Sequence, residues 1–143
     1  MRRRRALAPL SRDHHHALVI AMALTRATPP TARSSAMLFA DFMLEHETRH
    51  FALEESVLLP ELPAGERGRR LAERARADHR HLREEARRLG ANPASASPER
   101  VRSLGARLRE HVQFEERELF PYLEQSLEAA SLDRIGSRLQ AVA

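Results

Sequence analysis

Two eleven-residue segments of the chain repeat one order of histidine, glutamate, apolar residues and proline. The first is HFALEESVLLP, from His50 to Pro60, and the second is HVQFEERELFP, from His111 to Pro121. Matched positions keep one constant offset throughout (50 with 111, 54 with 115, 60 with 121). On a helix, a histidine and a carboxylate four residues apart lie one above the other on the same face. The repeat therefore predicts two helices that each present an imidazole with a carboxylate, one in each half of the fold.

A second, shorter repeat precedes each of these segments. Asp-His-His-His at residues 13–16 matches Asp-His-Arg-His at residues 78–81. The match selects His14 over its two histidine neighbours. Helical spacing agrees, because His14 shares a face with Leu10 and Ala17. Each half of the chain thus carries one histidine followed by one histidine–glutamate pair.

Helix-forming residues dominate the chain, and strand-type alternation is hard to find. Paired prolines end the first predicted helix, Gly90 ends the third, and Pro121 predicts a kink in the fourth. The predicted helices run from Pro9 or Ser11 to Ala27, Thr31 or Ser34 to Leu59, Glu66 to Leu89, Glu99 to Glu128 and Ser131 to Val142. We predict an all-α, up-down-up-down four-helix bundle with a short C-terminal fifth helix over residues 9–143, after a disordered basic N-terminus of residues 1–8.

Apolar residues at helical spacing give each long helix an inward stripe. The stripes are Leu10, Ala17, Leu18 and Ala21; Leu38, Phe42, Leu53 and Val57; Leu71, Ala75, Leu82, Ala86 and Leu89; and Leu104, Leu108, Phe114 and Leu119. Six polar residues share these faces: His14, His50, Glu54, His79, His111 and Glu115. Burying them without partners would cost several kcal/mol each, and metal coordination removes that cost. We therefore predict a metal site, with two carboxylates able to bridge two ions.

Composition narrows the kind of metal site. The chain has no cysteine, which excludes a cysteine zinc finger, an all-cysteine iron–sulfur cluster and a thiol redox site. Imidazole with carboxylate suits iron, manganese or zinc, and a bridged pair in a bundle core favours di-iron. Ferritin-like proteins need Glu-x-x-His on two helices. Only Glu47 with His50 matches that spacing, because Leu108 stands three residues before His111, so the ferritin-like arrangement is disfavoured.

Charge and hydropathy bear on partners and location. The 24 basic and 20 acidic residues leave a net charge of +4, which indicates a mixed surface and no nucleic-acid partner. The Met1–Arg5 start resembles the charged region of an export signal, but no apolar run of about 7–15 residues follows it. No stretch approaches the ~20 apolar residues of a membrane span. We expect a cytoplasmic protein with no membrane partner.

The ordered set H…H-x-x-x-E…H…H-x-x-x-E, with its LLP and LFP endings, resembles the hemerythrin-like, or HHE cation-binding, family from about Pro9 to Glu124. The resemblance implies a left-handed up-down bundle that holds two non-haem iron ions joined by an oxo or hydroxo bridge. It also implies binding of a small diatomic ligand, oxygen or nitric oxide, or in some members peroxide. Carried over residue by residue, it makes His14, His50, His79 and His111 terminal ligands, with Glu54 and Glu115 as bridges.

Two positions depart from the oxygen-carrying hemerythrins, which have H-x-x-x-H on the third helix and an aspartate five residues after the last histidine. Here Arg83 stands four residues after His79. Glu115 lies four residues after His111, and Glu116 takes the fifth place. Two histidines per iron would leave positions open for water, a small ligand or another side chain. We therefore expect sensing, scavenging or iron handling in preference to stable oxygen carriage.

Two other functions stay open. Open coordination positions also suit a di-iron peroxidase or catalase-like enzyme. The arginine-rich third helix, Arg67 to Arg88, and the Arg2–Arg5 end would suit an acidic partner, although a solvated face is the plainer interpretation. Repair of iron–sulfur centres is disfavoured, because family members with that role generally carry a cysteine-bearing segment and this chain has no cysteine.

Three more residues are candidates for an additional ligand. His46 lies four residues before His50 on the same helical stripe, which is the spacing of one helical turn. Glu47 lies on the same predicted helix. Tyr122 follows the proline of the second repeat, close to one end of the site. Each of the three has a plainer interpretation as a supporting or solvent-facing side chain.

Four acidic residues adjoin the predicted ligands. Glu55 and Glu116 turn about 100° from the ligand face, and we expect them to pair with arginines or to orient ligands. For Asp13 and Asp78, a hydrogen bond to a neighbouring imidazole, a helix cap and a solvent-facing position are all open. The remaining histidines are expected at the surface or behind the ligands: His15, His16 and His81.

Overall fold

The structure, a computed structural model, describes residues 4–142. Two of its long helices are regular: α1 spans Ala8–Thr25 and α3 spans Glu66–Ala91. A composite helix, α2, runs over residues 32–61, a second, α4, over residues 98–126, and a shorter helix, α5, spans Ala129–Val142. The helices are therefore those predicted, with ends that move by a few residues. Gly90, expected just after the third helix, lies inside it.

The composite helix α2 changes its winding along its length. It begins as an α-helix over Ala32–His46. It widens into π-helical turns over Glu47–Phe51 and Glu54–Leu58, and it ends in a 3-10 turn over Leu59–Glu61. The sequence pattern predicts none of the wide turns.

Helix α4 also changes from α-helical to π-helical winding. It is α-helical over Pro98–Phe114, π-helical over Glu115–Leu119 and α-helical again over Phe120–Ser126. In each repeat a π-helical segment begins at the glutamate of the motif and ends two residues before its proline. The kink predicted at Pro121 is thus preceded by a wide turn, which suits a residue that cannot donate a backbone hydrogen bond.

Consecutive helices run antiparallel, which confirms the up-down-up-down bundle. Residues near the start of one helix contact residues near the end of the next. Residues further along the first helix contact earlier residues of the second. The contacts that set these directions are Asp13 with His50 and His16 with Phe42, Glu55 with His79 and Ala40 with Gly90, and Asp78 with His111 and Glu85 with Arg100.

Helices α1 and α4 are in close contact at Gly105. A Cβ atom at this position would lie 2.8 Å from the Ala21 carbonyl oxygen, the Leu24 Cβ and the Thr25 backbone nitrogen. No side chain fits at those distances without a backbone shift. The close approach brings the backbones of the first and last long helices together and closes the bundle.

Two apolar clusters fill the interior, and a polar layer separates them. On α1, for example, Leu10 belongs to one cluster, Ala17 to the other, and His14 lies between them. The first apolar cluster consists of Ala17, Ile20, Ala21, Leu24, Ala27, Ala32, Ala36, Phe39, Phe42, Met43, Phe51, Leu82, Leu89, Val101, Leu104, Leu108 and Val112. The second consists of Leu7, Leu10, Val57, Leu58, Leu59, Leu71, Ala75, Phe114, Leu119, Phe120, Leu123, Ile135 and Leu139.

The N-terminal segment is more ordered than the sequence predicts. Residues Arg5–Leu7 form a 3-10 turn, and the Leu7 side chain is fully buried in the second apolar cluster. Gly136 of α5 packs against Ala6 so closely that a Cβ atom at position 136 would lie 3.1 Å from the Ala6 Cα. The expected disorder of residues 1–8 therefore does not hold for residues 5–8, and residues 1–3 lie outside the described part of the chain. The folded domain begins by residue 5 instead of residue 9.

Two residues of the predicted stripes are on the surface. Leu18 is 36% exposed and Leu38 is 42% exposed, whereas the predicted ligand positions on the same faces are buried. Both leucines lie at the outer edge of a stripe, so a small rotation of the helix carries them outward. Leu53 and Ala86 are half-buried.

The arginines of α3 mostly have acidic partners. Arg70 pairs with Glu66 at 2.9 Å and Arg88 pairs with Glu84 at 2.7 Å, both within the helix. Such exposed pairs are worth little in stability, but they are typical of a solvated face. Between residues 4 and 142, no helix has both the length and the apolar character needed to cross a membrane.

Candidate metal centre

The six polar residues singled out by the repeats all lie in the layer between the apolar clusters. Each is buried, with at most 2% of its surface exposed: His14, His50, Glu54, His79, His111 and Glu115. Their nitrogen and oxygen atoms form two groups, and within each group the atoms lie within 4.8 Å of one another. The first group is His14, His50, Glu54 and Glu115, and the second is Glu54, His79, His111 and Glu115.

The two glutamates are common to both groups, and Glu115 faces each group with a different oxygen. Its Oε1 lies 2.8 Å from His14 Nε2 and 3.6 Å from His50 Nε2. Its Oε2 lies 3.4 Å from His111 Nε2 and 3.7 Å from His79 Nε2. Such a carboxylate is placed to bridge two ions.

Glu54 occupies the matching position from the opposite helix. Its Oε1 lies 3.3 Å from His50 Nε2 and 3.2 Å from His79 Nε2. One of these histidines belongs to each group, so Glu54 also stands between the two. The two carboxylates therefore face each other across the layer, each from the helix of its own repeat.

Buried atoms without partners show that the layer fits a metal. Among residues 4–142, six buried side-chain atoms lack any hydrogen-bond partner: His50 Nε2, Glu54 Oε1, Glu54 Oε2, His79 Nε2, His111 Nε2 and Glu115 Oε2. All six belong to the two groups. Leaving such atoms unsatisfied costs about 1–3 kcal/mol each, and more when they are charged. Nitrogen and oxygen donors converging in one layer are what a transition metal requires.

The outer nitrogen of every imidazole in the layer is held by a carboxylate. The Nδ1 atoms contact Glu116 at 2.7 Å from His14, Asp13 at 3.1 Å from His50, Glu55 at 2.6 Å from His79 and Asp78 at 2.9 Å from His111. An N–H donated from Nδ1 leaves the Nε2 lone pair facing inward, where a metal would bind. For Glu116, Asp13, Glu55 and Asp78, the structure therefore favours a role in orienting the imidazoles.

Arg83 occupies the place where a fifth histidine would stand. Its guanidinium donates to Glu55 Oε2 at 2.9 Å, and its Nε lies 3.0 Å from Glu47 Oε1. Glu55 in turn accepts from His79, so the arginine supports a ligand candidate from behind. Glu47 is tied to this network and joins neither ligand group. The Tyr122 ring lies 5.2 Å beneath the Arg67 guanidinium.

His46 lies beside the centre without joining either group of the described residues. Its ring stacks on His50, with centroids 4.3 Å apart, and on Phe42, with centroids 4.6 Å apart. Burial lowers the pKa of His46 to about 2, and the positive charge of His50 acts in the same direction. His46 is therefore a neutral imidazole.

Without metal, the layer is a cluster of ion pairs. Burial lowers the pKa of His79, but the carboxylates of Glu115 and Glu54 outweigh burial and raise the pKa to about 10. Burial also opposes ionisation of His14, whose hydrogen bonds to two carboxylates nevertheless raise its pKa above the ordinary value. Burial raises the pKa of Glu115, whereas the charge of His111 and a hydrogen bond from His14 hold it well below its usual range. A metal would displace the protons of these imidazoles.

The fold and the layer together define a class of protein: a helical bundle that binds metal through histidine and glutamate. The family model of the hemerythrin HHE cation-binding domain matches residues 7–123, and the chain belongs to that family. The family and the all-α fold predicted from the sequence are thus confirmed. No curated protein and no solved structure matches the chain.

Proposed function

We propose that the protein binds two iron ions in the polar layer and uses them to bind a diatomic ligand, oxygen or nitric oxide, in sensing, scavenging or iron handling. The observation that carries the proposal is the sharing of Glu54 and Glu115 by two groups of buried donors. This shared pair of carboxylates could contribute ligands to two ions. The four histidines would complete the two groups of donors, two in each group.

Iron is proposed from the chemistry of the donors. The layer offers nitrogen and carboxylate oxygen and no sulfur, a mixture that suits iron, manganese and zinc. Carboxylates shared between two ions in a helical bundle are typical of di-iron proteins. A bound iron pair would supply reversible one-electron chemistry and coordination positions for a small molecule.

The side chains around the layer would hold the ions and keep water out. Carboxylates behind the imidazoles fix each ring, so that its Nε2 atom faces inward. The first and second apolar clusters cover the layer above and below. Because only two imidazoles belong to each group, each ion would keep positions for an added ligand. Arg83, held by Glu55, supplies none.

The metal is tested by loading the purified protein with ferrous iron without oxygen. We expect about two irons per chain and, after air, the near-ultraviolet absorption of a bridged ferric pair. Spectra of the reduced protein before and after oxygen, nitric oxide and peroxide would identify the ligand. A protein that retains only zinc after this loading would contradict the proposal.

The ligand residues are tested by single substitutions in the same loading experiment. His50→Ala and His111→Ala should each lose the iron of their own group, and the double variant should hold neither ion at full occupancy. His81→Ala is the matched control on α3, since His81 belongs to neither group. Full iron in the double variant would refute the assignment.

A second candidate is a di-iron peroxidase or catalase-like enzyme. The small number of imidazoles in each group favours it, because open positions can take peroxide as well as a diatomic molecule. Turnover of hydrogen peroxide by the iron-loaded protein, measured against the same protein without iron, separates the two. Turnover well above that of the iron-free protein would favour the enzyme.

A further inference from the structure

A cavity opens between α1 and α2 and borders the candidate metal centre at His50. Its volume is about 210 Å³, well above the ~10–15 Å³ needed for a single water. The wall nearest the centre is formed by Phe42, His46 and His50. Two arginines and two acids, Arg12, Arg49, Asp13 and Glu45, line the remainder with His16. The balanced charges place no barrier against a neutral molecule or a small anion.

His46 gives this cavity a polar group that nothing else uses. The side chain is 93% buried, since 7% of its surface is exposed, and it faces the cavity. The His46 ring contacts the rings of Phe42, His50 and Phe51. Neither of its nitrogens has a hydrogen-bond partner within residues 4–142. The two ring nitrogens of an imidazole can donate or accept hydrogen bonds, according to the tautomer. Neither nitrogen is among the fully buried atoms without a partner, so both are open to the cavity, where water or a ligand can bind them.

The internal repeat shows that the metal layer itself does not need this histidine. The position that the repeat matches to His46 holds Arg107, whose guanidinium lies 3.8 Å from Asp78 Oδ1. His111 and Asp78 keep their hydrogen bond beside that arginine, just as His50 and Asp13 keep theirs beside His46. His46 therefore distinguishes one half of the layer from the other.

We propose that the cavity between α1 and α2 is the route by which the small ligand reaches the centre, and that His46 is a positioning residue that hydrogen-bonds the ligand beside His50. The ligand class is a molecule of a few atoms that can donate or accept a hydrogen bond through oxygen or nitrogen. The proposal rests on the proposed function, because it assigns the route to the same centre.

The cavity is tested first in the metal-free protein, so that this test does not depend on iron. Dissolved oxygen is paramagnetic and increases the relaxation of protons that it approaches. We expect a larger increase for the ring protons of Phe42 and His46 than for those of Phe39, which is buried away from the cavity. His16→Trp at the cavity wall should abolish the difference, and His15→Trp, an exposed neighbour outside the cavity, should preserve it. Equal relaxation of the three rings would overturn the route.

The role of His46 is tested in the iron-loaded protein with nitric oxide and with azide as probes, after metal content has been measured for every variant. His46→Leu should keep both ions and weaken binding of a hydrogen-bonding probe about three- to tenfold, the value of one hydrogen bond. His46→Gln, which keeps a donor and an acceptor, should recover most of the affinity. Equal affinity in all three proteins would overturn this role.

Association rates of azide with the iron-loaded protein test whether the cavity is the route to the centre. His16→Trp should slow stopped-flow association of azide severalfold at unchanged metal content, whereas His15→Trp should not change it. Identical rates in these two variants would overturn the route even if neither His46 variant folds. Failure of every protein to hold iron would contradict the proposed function instead, and the relaxation experiment would still decide whether the cavity admits a diatomic molecule.

Discussion

Each of the four imidazoles of the candidate metal centre is held by an acid on the neighbouring helix, and the four hydrogen bonds run once around the bundle. Helix α4 holds the imidazole of α1, α1 holds that of α2, α2 holds that of α3, and α3 holds that of α4. The orientation of each ring is thus set by the helix next to it. A carboxylate acceptor also makes the imidazole a better donor to a metal.

Asp78→Ala should weaken metal binding about 10–100-fold, because His111 loses the acceptor that orients its ring. Competition with a chelator of known affinity measures the change. Glu73→Ala removes a carboxylate from the same helix whose side chain is 67% exposed, and it should leave metal affinity unchanged. Equal affinity in the two variants would show that the hydrogen bond is not needed.

Glu115→Gln should remove both ions, whereas His50→Ala should remove one. The reason is that Glu115 serves both groups with its two oxygens, and the neutral amide is a poor bridge between cations. Metal analysis of the purified variants gives the stoichiometry directly. A Glu115→Gln protein that still held two ions would show that this carboxylate is not a shared ligand.

Among the elements, two helical glycines, Gly105 of α4 and Gly90 of α3, should respond oppositely to alanine. Gly105→Ala should lower the free energy of unfolding by about 1–3 kcal/mol, because the new Cβ would meet the α1 backbone at 2.8 Å. Gly90→Ala should raise it by about 0.4–1 kcal/mol, because its Cβ meets only Ala40 Cβ at an ordinary 3.5 Å. Urea unfolding measures both. A stabilising Gly105→Ala would mean that α1 and α4 can move apart freely.

Much of the architecture could be predicted from the sequence because it depends on periodicity. The 3.6-residue spacing of the α-helix and the repeat placed His14, His79 and the two histidine–glutamate pairs on inward faces. The same offsets link Glu55 to Glu116 and Asp13 to Asp78, so these acids were visible as matched pairs. Which imidazole each acid reaches depends on which helices are neighbours, and a linear pattern does not specify that.

Other features depend on contacts that periodicity does not describe. The π-helical turns before Pro60 and Pro121 are changes of backbone hydrogen bonding with no distinct composition. The need for glycine at position 105 comes from the α1 backbone, which is distant in the sequence. The buried Leu7 was missed because the arginines before it dominate the pattern.

For the whole molecule, the metal-free protein should be most stable near pH 6.5. The pKa of His79 is raised from 6.5 to about 10, so its contribution is fully present below pH 6.5 and is lost as the pH rises through about 10. The pKa of His46 is lowered from 6.5 to about 2, so its burial becomes destabilising as the pH falls below 6.5. Calorimetric Tm values of the chelator-treated protein between pH 5 and pH 10 test this, and a Tm that rises from pH 6.5 to pH 9 would contradict it.

Above pH 6.5, metal affinity should rise with pH, whereas the stability of the metal-free protein should fall. An ion binds only to imidazoles that have lost their protons, so affinity should rise as the pH approaches the raised pKa values of the layer. Metal titrations at several pH values, with proton release recorded in weakly buffered solution, measure this. Binding without proton release would show that the imidazoles are already neutral in the metal-free protein.

If two ions bind as proposed, the sharing of Glu54 and Glu115 would make each ion a cross-link between two helical hairpins. The hairpin of α1 and α2 supplies both imidazoles of the first group and takes its second carboxylate from α4, while the hairpin of α3 and α4 does the reverse. The peptide connecting the hairpins reaches Gly65, whose Cβ position has open space around it. A chain severed at that turn would remain a pair of fragments whose mutual affinity rises with the concentration of free metal. The bound ions would then hold the two hairpins together.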